Sequence, residues 1–119
     1  MKKGWVYKKE KLNGTVWEDE NGYHFQYEES YLQNPVYGAV SRTLPLRSEE
    51  FMDKNMLPFF DGLIPEGWLL QIAIDNWKLN PRDRMTLLLT LCKDCIGDIS
   101  IRNKKQNELP ALLQTFEER

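Results

Sequence analysis

Hydrophobic side chains alternate with polar ones through the first third of the chain, and this pattern predicts β-strands. The segments 4–9 and 12–17 mix aromatic and β-branched residues with polar ones, as half-buried strands do. In 23–27 the aromatic residues occupy every second position and therefore share one face. The pair Asn21-Gly22 predicts a two-residue hairpin turn before that strand, because both residues tolerate positive φ. A fourth strand is predicted over 36–42.

In the second half of the chain, apolar residues recur three and four positions apart, which predicts helices. A short helix is predicted over 56–63 and a longer one over 66–77. A third helix is predicted to run from Asn80, as its N-cap, to about residue 92, since proline follows the cap directly. A strand is predicted over 97–102.

These elements together predict one α+β domain over residues 1–119. Residues 1–46 are expected to form mainly strands, as a small antiparallel sheet or open barrel. Residues 47–102 are expected to supply helices and a final strand. The tail, 103–119, has leucines and a phenylalanine at helical spacing and is predicted to end in an amphipathic helix. A chain of 119 residues is long enough to bury its own core.

Composition and charge narrow the function classes. With 41% hydrophobic and 29% charged residues, the chain has the profile of a soluble globular protein. Its net charge of −2 argues against nucleic-acid binding by this chain alone. The apolar runs are too short to span a membrane, and no apolar stretch of a secretion signal follows the first lysines. Two cysteines without an export signal predict a cytoplasmic protein.

Trp68 stands out on the helix predicted over 66–77. At about 100° per residue, a broad apolar stripe expected to face the core is formed by Leu69, Leu70, Ala73, Ile74 and Trp77. Trp68 falls on the opposite, polar arc, with Ile72 beside it. A neighbouring strand or helix could cover both residues. Alternatively, Trp68 and Ile72 form an exposed apolar knob that binds a partner, since tryptophan is enriched among interface hot spots.

Candidate catalytic and metal-binding groups are few. Asp61, Glu66 and Asp94 could in principle share a proton or bind Mg²⁺, but roles in turns and at a helix N-terminus are favoured. The C-x-x-C pair of Cys92 and Cys95 would supply half of a zinc site, yet buried, apolar roles are favoured for both. No catalytic residue, metal or cofactor is predicted.

His24 is the single histidine of the chain and so the one candidate for an imidazole ligand or an imidazole general base. It alternates with Tyr23 and Phe25 along the predicted strand and therefore lies on the opposite face. A lone histidine in that position is typical of a surface or cross-strand residue.

Three ordered motifs resemble the N-terminal subdomain of the HipA family of toxin–antitoxin kinases. They are Leu44-Pro45-Leu46, the stretch Pro-Phe-Phe-Asp-Gly-Leu-Ile-Pro-Glu-Gly over 58–67, and Asp94-Cys95-Ile96-Gly97. The resemblance extends from the first strand to Ile101. In this family a serine/threonine kinase core follows the subdomain, and the present chain stops where that core would begin. The resemblance therefore implies a protein that is not itself an enzyme.

Within that family the chain looks like a HipS-type antitoxin, which binds and inhibits a separate HipT-like kinase beside a HipB-like DNA-binding protein. The segment 62–72 would dock near the active site of the kinase. The expected partner-binding residues are Asp61, Gly62, Pro65, Glu66, Gly67, Trp68 and Ile72. A subunit that activates the kinase, and a general protein-interaction module, remain alternatives.

Overall fold

The computed structural model describes residues 2–92 and 98–103, apart from the side chains of Trp68 and Leu69. These residues form a five-stranded antiparallel sheet with four helices, which confirms the predicted α+β class. The strands are β1 (Lys2–Lys8), β2 (Lys11–Asp19), β3 (Gly22–Tyr27), β4 (Phe51–Asp53) and β5 (Ile99–Arg102). The helices are α1 (Glu29–Gln33), α2 (Pro58–Asp61), α3 (Gly67–Trp77) and α4 (Arg84–Leu91).

The sheet has the strand order β4-β3-β2-β1-β5, and every neighbouring pair is antiparallel. The predicted hairpin between β2 and β3 is present, but its turn lies one residue earlier than expected, since Asp19 pairs with Gly22. The turn between β1 and β2 uses Lys9 and Glu10, both with positive φ (51° and 69°). Sequence reasoning found no signal there, because neither residue favours that conformation.

The predicted strand over 36–42 is wrong, and the fourth strand is β4, which pairs with β3 through Phe25 and Phe51. Two tyrosine hydroxyls hold the 36–42 segment as an irregular loop. Tyr31 donates to the carbonyl of Gly38 at 2.7 Å, and the Val40 amide donates to the Tyr27 hydroxyl at 3.0 Å. These bonds satisfy backbone groups that a strand ladder would otherwise have satisfied.

Helices lie near the three positions predicted before the tail, but α1 was not predicted, and the third predicted helix starts later than expected. The predicted helix from Asn80 begins only at Arg84, where Asp83 accepts a hydrogen bond from the Thr86 amide at 3.2 Å. Asn80 instead bonds the Arg82 amide at 2.9 Å and closes a turn before the helix. Both residues are good caps, so local sequence does not distinguish them. The helix predicted in the tail lies outside the described residues.

The core lies between the sheet and the helices, with Phe25 and Phe60 at its centre. Both side chains are fully buried, and their ring centroids are 5.3 Å apart. Cys92 is also buried, and its Sγ donates to the Leu63 carbonyl at 3.3 Å, which fits the apolar role predicted for it. Cys95 lies outside the described residues. No helix in the described part of the chain has the length and apolar character of a membrane span.

Of the two positions expected for His24, surface or cross-strand, the structure shows the cross-strand one, and the side chain is buried. Its ring stacks on the cross-strand Trp17 at 4.9 Å. Nδ1 lies 2.5 Å from Glu50 Oε2 and Nε2 lies 2.8 Å from Asp19 Oδ1. Burial alone would lower the pKa of His24, but hydrogen bonds to Asp19 and then Glu50 outweigh burial and raise it. The hydrogen bond from His24 also lowers the pKa of Asp19.

The raised pKa of His24 predicts that the stability of the fold falls as pH rises above neutrality. Because the pKa of His24 is higher in the folded protein, its stabilising effect is complete below the unfolded value near 6.5. The effect is then lost as pH rises through the folded pKa. Thermal unfolding of the wild type and the His24→Gln variant across pH 6–9 measures this. The wild-type Tm should fall more steeply, and parallel curves would contradict the assignment.

Candidate interaction surface

The segment from the end of α2 to the first turns of α3 contains all the partner-binding residues that the sequence predicts. Pro58 occupies the first position of α2, where no amide donor is needed and the fixed φ of proline favours the helix. The helix is anchored by Phe60, which is fully buried. Asp61 and Gly62 then close the helix, with the Gly62 amide bonded to the Pro58 carbonyl at 2.9 Å. This end of the segment is fixed to the core.

Between α2 and α3 the chain moves from the core to the surface. Ile64 is buried, with 2% of its area exposed, whereas Glu66 and Gly67 are exposed. Glu66 is extended, and Gly67 has φ +64° with open space around its missing Cβ. A positive φ favours glycine, so Gly67 provides the change of direction that starts α3. Pro65, partly buried, precedes this change of direction.

α3 exposes apolar side chains at two places. Ile72 is 46% exposed, and it lies one helical turn after position 68, whose side chain is not described. Trp77 is 58% exposed, which contradicts its predicted place on the core-facing stripe. Ala73 is buried, whereas Leu70 and Ile74 are only partly buried. The predicted apolar stripe is therefore incompletely buried, and its last residue, Trp77, is exposed. On the polar arc, the described side chains of Gln71, Asp75 and Asn76 are exposed, as expected.

Asp61 has a structural partner that the sequence did not reveal. Its Oδ1 accepts a hydrogen bond from Arg84 Nε at 2.7 Å, joining the end of α2 to the start of α4. Both side chains are partly exposed, so this pair contributes modestly to stability. Its main effect is to fix the direction of the Asp61 carboxylate. The two residues are 23 positions apart, so no local signal connects them.

The described residues predicted to bind a partner are carboxylates, turn residues and an apolar residue. Among the described residues, no three His, Cys, Asp or Glu side chains are grouped so that they could hold a metal ion. Glu66 is exposed and makes no side-chain cap bond to α3, so its carboxylate faces solvent. Residues 62–72 thus combine an acid, a turn and an exposed aliphatic side chain on a helix. The structure is thus an α+β domain in which these residues form one continuous segment from the end of α2 into α3.

The chain belongs to the HipA N-terminal domain family, whose model matches residues 5–102. The matched region is the N-terminal domain and not the kinase domain. An uncharacterised protein from Haemophilus influenzae is 29% identical over 93 residues, which cover 78% of this chain and 84% of that protein. Y4mE of Sinorhizobium fredii, provisionally named a kinase, is 28% identical over 102 residues, which cover 85% of this chain.

Solved structures support the same fold. The N-terminal domain of HipA toxin aligns with a TM-score of 0.59 at 23% identity, over 90% of this chain and 96% of that one. HipA from Shewanella oneidensis, solved with HipB and operator DNA, aligns with a TM-score of 0.69 at 16% identity over 98% of this chain. The present chain spans only 24% of Y4mE and 29% of the Shewanella chain. It corresponds to one domain of those longer relatives.

Proposed function

We propose that this protein is an antitoxin that binds a HipT-like serine/threonine kinase toxin and inhibits it. In this proposal the segment 62–72 docks near the active site of the kinase and holds the kinase in an unproductive state. The protein acts by binding, needs no cofactor, and transfers no phosphoryl group itself. Phosphoryl transfer requires groups that position phosphates and Mg²⁺, and those belong to the kinase partner.

The observation that carries this proposal is the exposure of an apolar residue on the predicted segment. Ile72 lies on α3 in a domain of the HipA N-terminal family, and nearly half of its side chain is in contact with solvent. Contiguous exposed apolar surface marks protein-interaction sites, and a rigid anchor would hold such a surface in one position. Here the anchor is Phe60 in α2, which fixes one end of the segment to the core.

Trp68 is proposed as the main contact. It occupies the second position of α3, directly after the Gly67 turn and one helical turn before Ile72. A buried tryptophan commonly contributes at least about 2 kcal/mol to binding, and more in well-packed pockets. Glu66 would place a negative charge beside it, and Asp61 would meet the partner as an ion pair with Arg84. Gly62, Pro65 and Gly67 would set the shape of the segment. The charge of Glu66 favours a basic residue at the facing position of the partner.

A larger assembly in the cytoplasm is also proposed. The Shewanella relative was solved with HipB and operator DNA, and by analogy a HipB-like protein would join this chain and its kinase. With a net charge of −2, the present chain is expected to leave DNA contact to that partner. An activating subunit of the same kinase is the competing proposal, since a domain next to a kinase core can complete it as well as block it.

The test is substrate phosphorylation by a purified HipT-like kinase, with and without the full chain. Wild-type protein should inhibit, and Trp68→Ala should weaken inhibition by about 30-fold or more, the equivalent of at least about 2 kcal/mol. Ile72→Ala should weaken it by about 5-fold. Thermal unfolding of each variant establishes that the fold is retained.

Trp77→Ala is the matched control, because Trp77 is the same residue type, lies on the same helix and is exposed. Inhibition by this variant should change less than about threefold. Stimulation of the kinase by wild-type protein would replace the antitoxin proposal with the activating one. Unchanged kinase activity, together with no binding, would leave a general interaction module.

A further inference from the structure

A cleft of about 280 Å³ lies between the start of β3, the turn after β4, the end of α2 and the turn before α4. Four charged residues line it, together with the neutral Tyr23 and Asn55: Lys54, Asp61, Arg82 and Arg84. Pockets for drug-sized ligands occupy roughly 300–1,000 Å³. This cleft is at the lower limit, so it suits a small charged group better than a complete nucleotide.

The cleft carries two cations that have no partner within the described protein. Asp61 is already bonded to Arg84, so the one carboxylate of the lining is neutralised. The side chains of Lys54 and Arg82 are exposed, and neither forms a hydrogen bond or ion pair with any described residue. Arg84 donates to Asp61 through Nε and to the Pro81 carbonyl through Nη1, which holds its guanidinium in place. The lining therefore has a net positive charge.

The carboxylate of Asp83, which lies in the chain between the lining residues Arg82 and Arg84, is already engaged. Asp83 pairs with Lys2 and accepts from the Thr86 hydroxyl at 2.8 Å. Those hydrogen bonds outweigh its burial and lower the pKa of Asp83. Burial and the neighbouring Glu18 raise the pKa of Tyr23, which therefore forms a neutral wall. Asp83 also caps α4, so the amides of that helix are not the source of the attraction.

We propose that this cleft binds a phosphate group through Lys54, Arg82 and the guanidinium of Arg84. A phosphate monoester has three acceptor oxygens and a charge close to −2 at neutral pH, which two unpaired cations can balance. An arginine held in one orientation is well suited to this contact, because less freedom is lost on binding. The phosphate could come from a free small molecule or from a phosphorylated side chain of a protein. This inference does not depend on kinase inhibition.

The test is an NMR titration of the full chain, labelled with ¹⁵N, at constant ionic strength and pH 7.5. The ligands are inorganic phosphate and N-acetyl-phosphoserine amide, with N-acetyl-serine amide as the uncharged control. Both phosphates should shift the amides of residues 54–55 and 82–84 saturably, with Kd of order 1–10 mM. Arg82→Ala and Lys54→Ala should each weaken binding at least about threefold. Arg42→Ala and Lys11→Ala are the matched controls, because both cations are exposed and lie outside the cleft.

The source of the phosphate follows from the order of the two affinities. Tighter binding of phosphoserine amide indicates a phosphorylated side chain, and tighter binding of inorganic phosphate indicates a free anion. Absence of saturable shifts up to about 50 mM would overturn the proposal. Equal weakening in the Arg82→Ala and Arg42→Ala variants would also overturn it, because that result would show attraction by net charge alone.

Discussion

Replacement of Phe60 by alanine is expected to lower the free energy of unfolding by about 3–5 kcal/mol. Phe60 is fully buried and packs against Phe25 and Phe59, with centroids 5.3 and 5.1 Å apart. The loss combines the transfer of an aromatic ring to water with the cavity that it leaves. Domains of this size are stable by only about 5–15 kcal/mol, so the change removes much of the total. Urea unfolding at 25 °C measures it.

Met52→Ala serves as the control for this prediction, because Met52 is 57% exposed on β4. Its effect should stay within about 0.5 kcal/mol. A loss below about 1 kcal/mol in Phe60→Ala would show that the core can close around the cavity. That outcome would also weaken the view that α2 rigidly anchors the interaction segment, since Phe60 is the fully buried side chain of that helix.

Strands and helices with one buried face were predictable, because their apolar residues recur at a regular spacing along the sequence. β2 and β3 show this most clearly, since Val16, Phe25 and Tyr27 are all buried. The helices α2 and α3 were located by the spacing of their apolar residues, which is a local pattern. In each of these cases the information lies within a few residues of the element itself.

Features that depend on distant contacts were not predictable in this way. The strand expected over 36–42 is a loop because hydroxyls of Tyr27 and Tyr31 bind its backbone. His24 is buried, and its Nδ1 contacts the carboxylate of Glu50, which lies 26 residues later in the chain. Trp77 has the periodicity of a core residue, yet it is 58% exposed at the end of α3. A helical wheel assigns a direction to each side chain but cannot report what lies in that direction.

The candidate surface also has features that local sequence predicts and features that depend on distant contacts. The motif over 58–67 located the segment, and the helical wheel singled out Ile72, whose exposure the structure describes. The bond between Asp61 and Arg84 and the cleft beside it were missed, because both need arginines that lie more than 20 positions after α2 in the chain. Charge reasoning on the whole chain also missed the cleft, since a net charge of −2 conceals a local excess of cations.

Gly22→Ala is expected to destabilise the protein by about 2–4 kcal/mol, from backbone strain and overlap together. Gly22 has φ +134°, a conformation that L-residues rarely adopt. A Cβ at this position would also lie 2.4 Å from the carbonyl oxygen of Asp53 in β4. Since β4 is a three-residue edge strand, we expect it to move away from β3 and expose Phe51. Urea unfolding measures the loss, and faster amide exchange at 51–53 reports the movement.

Gly38→Ala separates the two causes, because Gly38 also has positive φ (+72°) but its Cβ would meet nothing within 4 Å. That variant should lose only about 1–2 kcal/mol, the cost of the left-handed conformation for alanine. An equal loss in both variants would show that backbone strain alone explains Gly22. A larger loss at Gly22, together with faster amide exchange at 51–53 in that variant alone, would show that the contact with β4 also demands glycine, a requirement that the hairpin pattern in the sequence does not reveal.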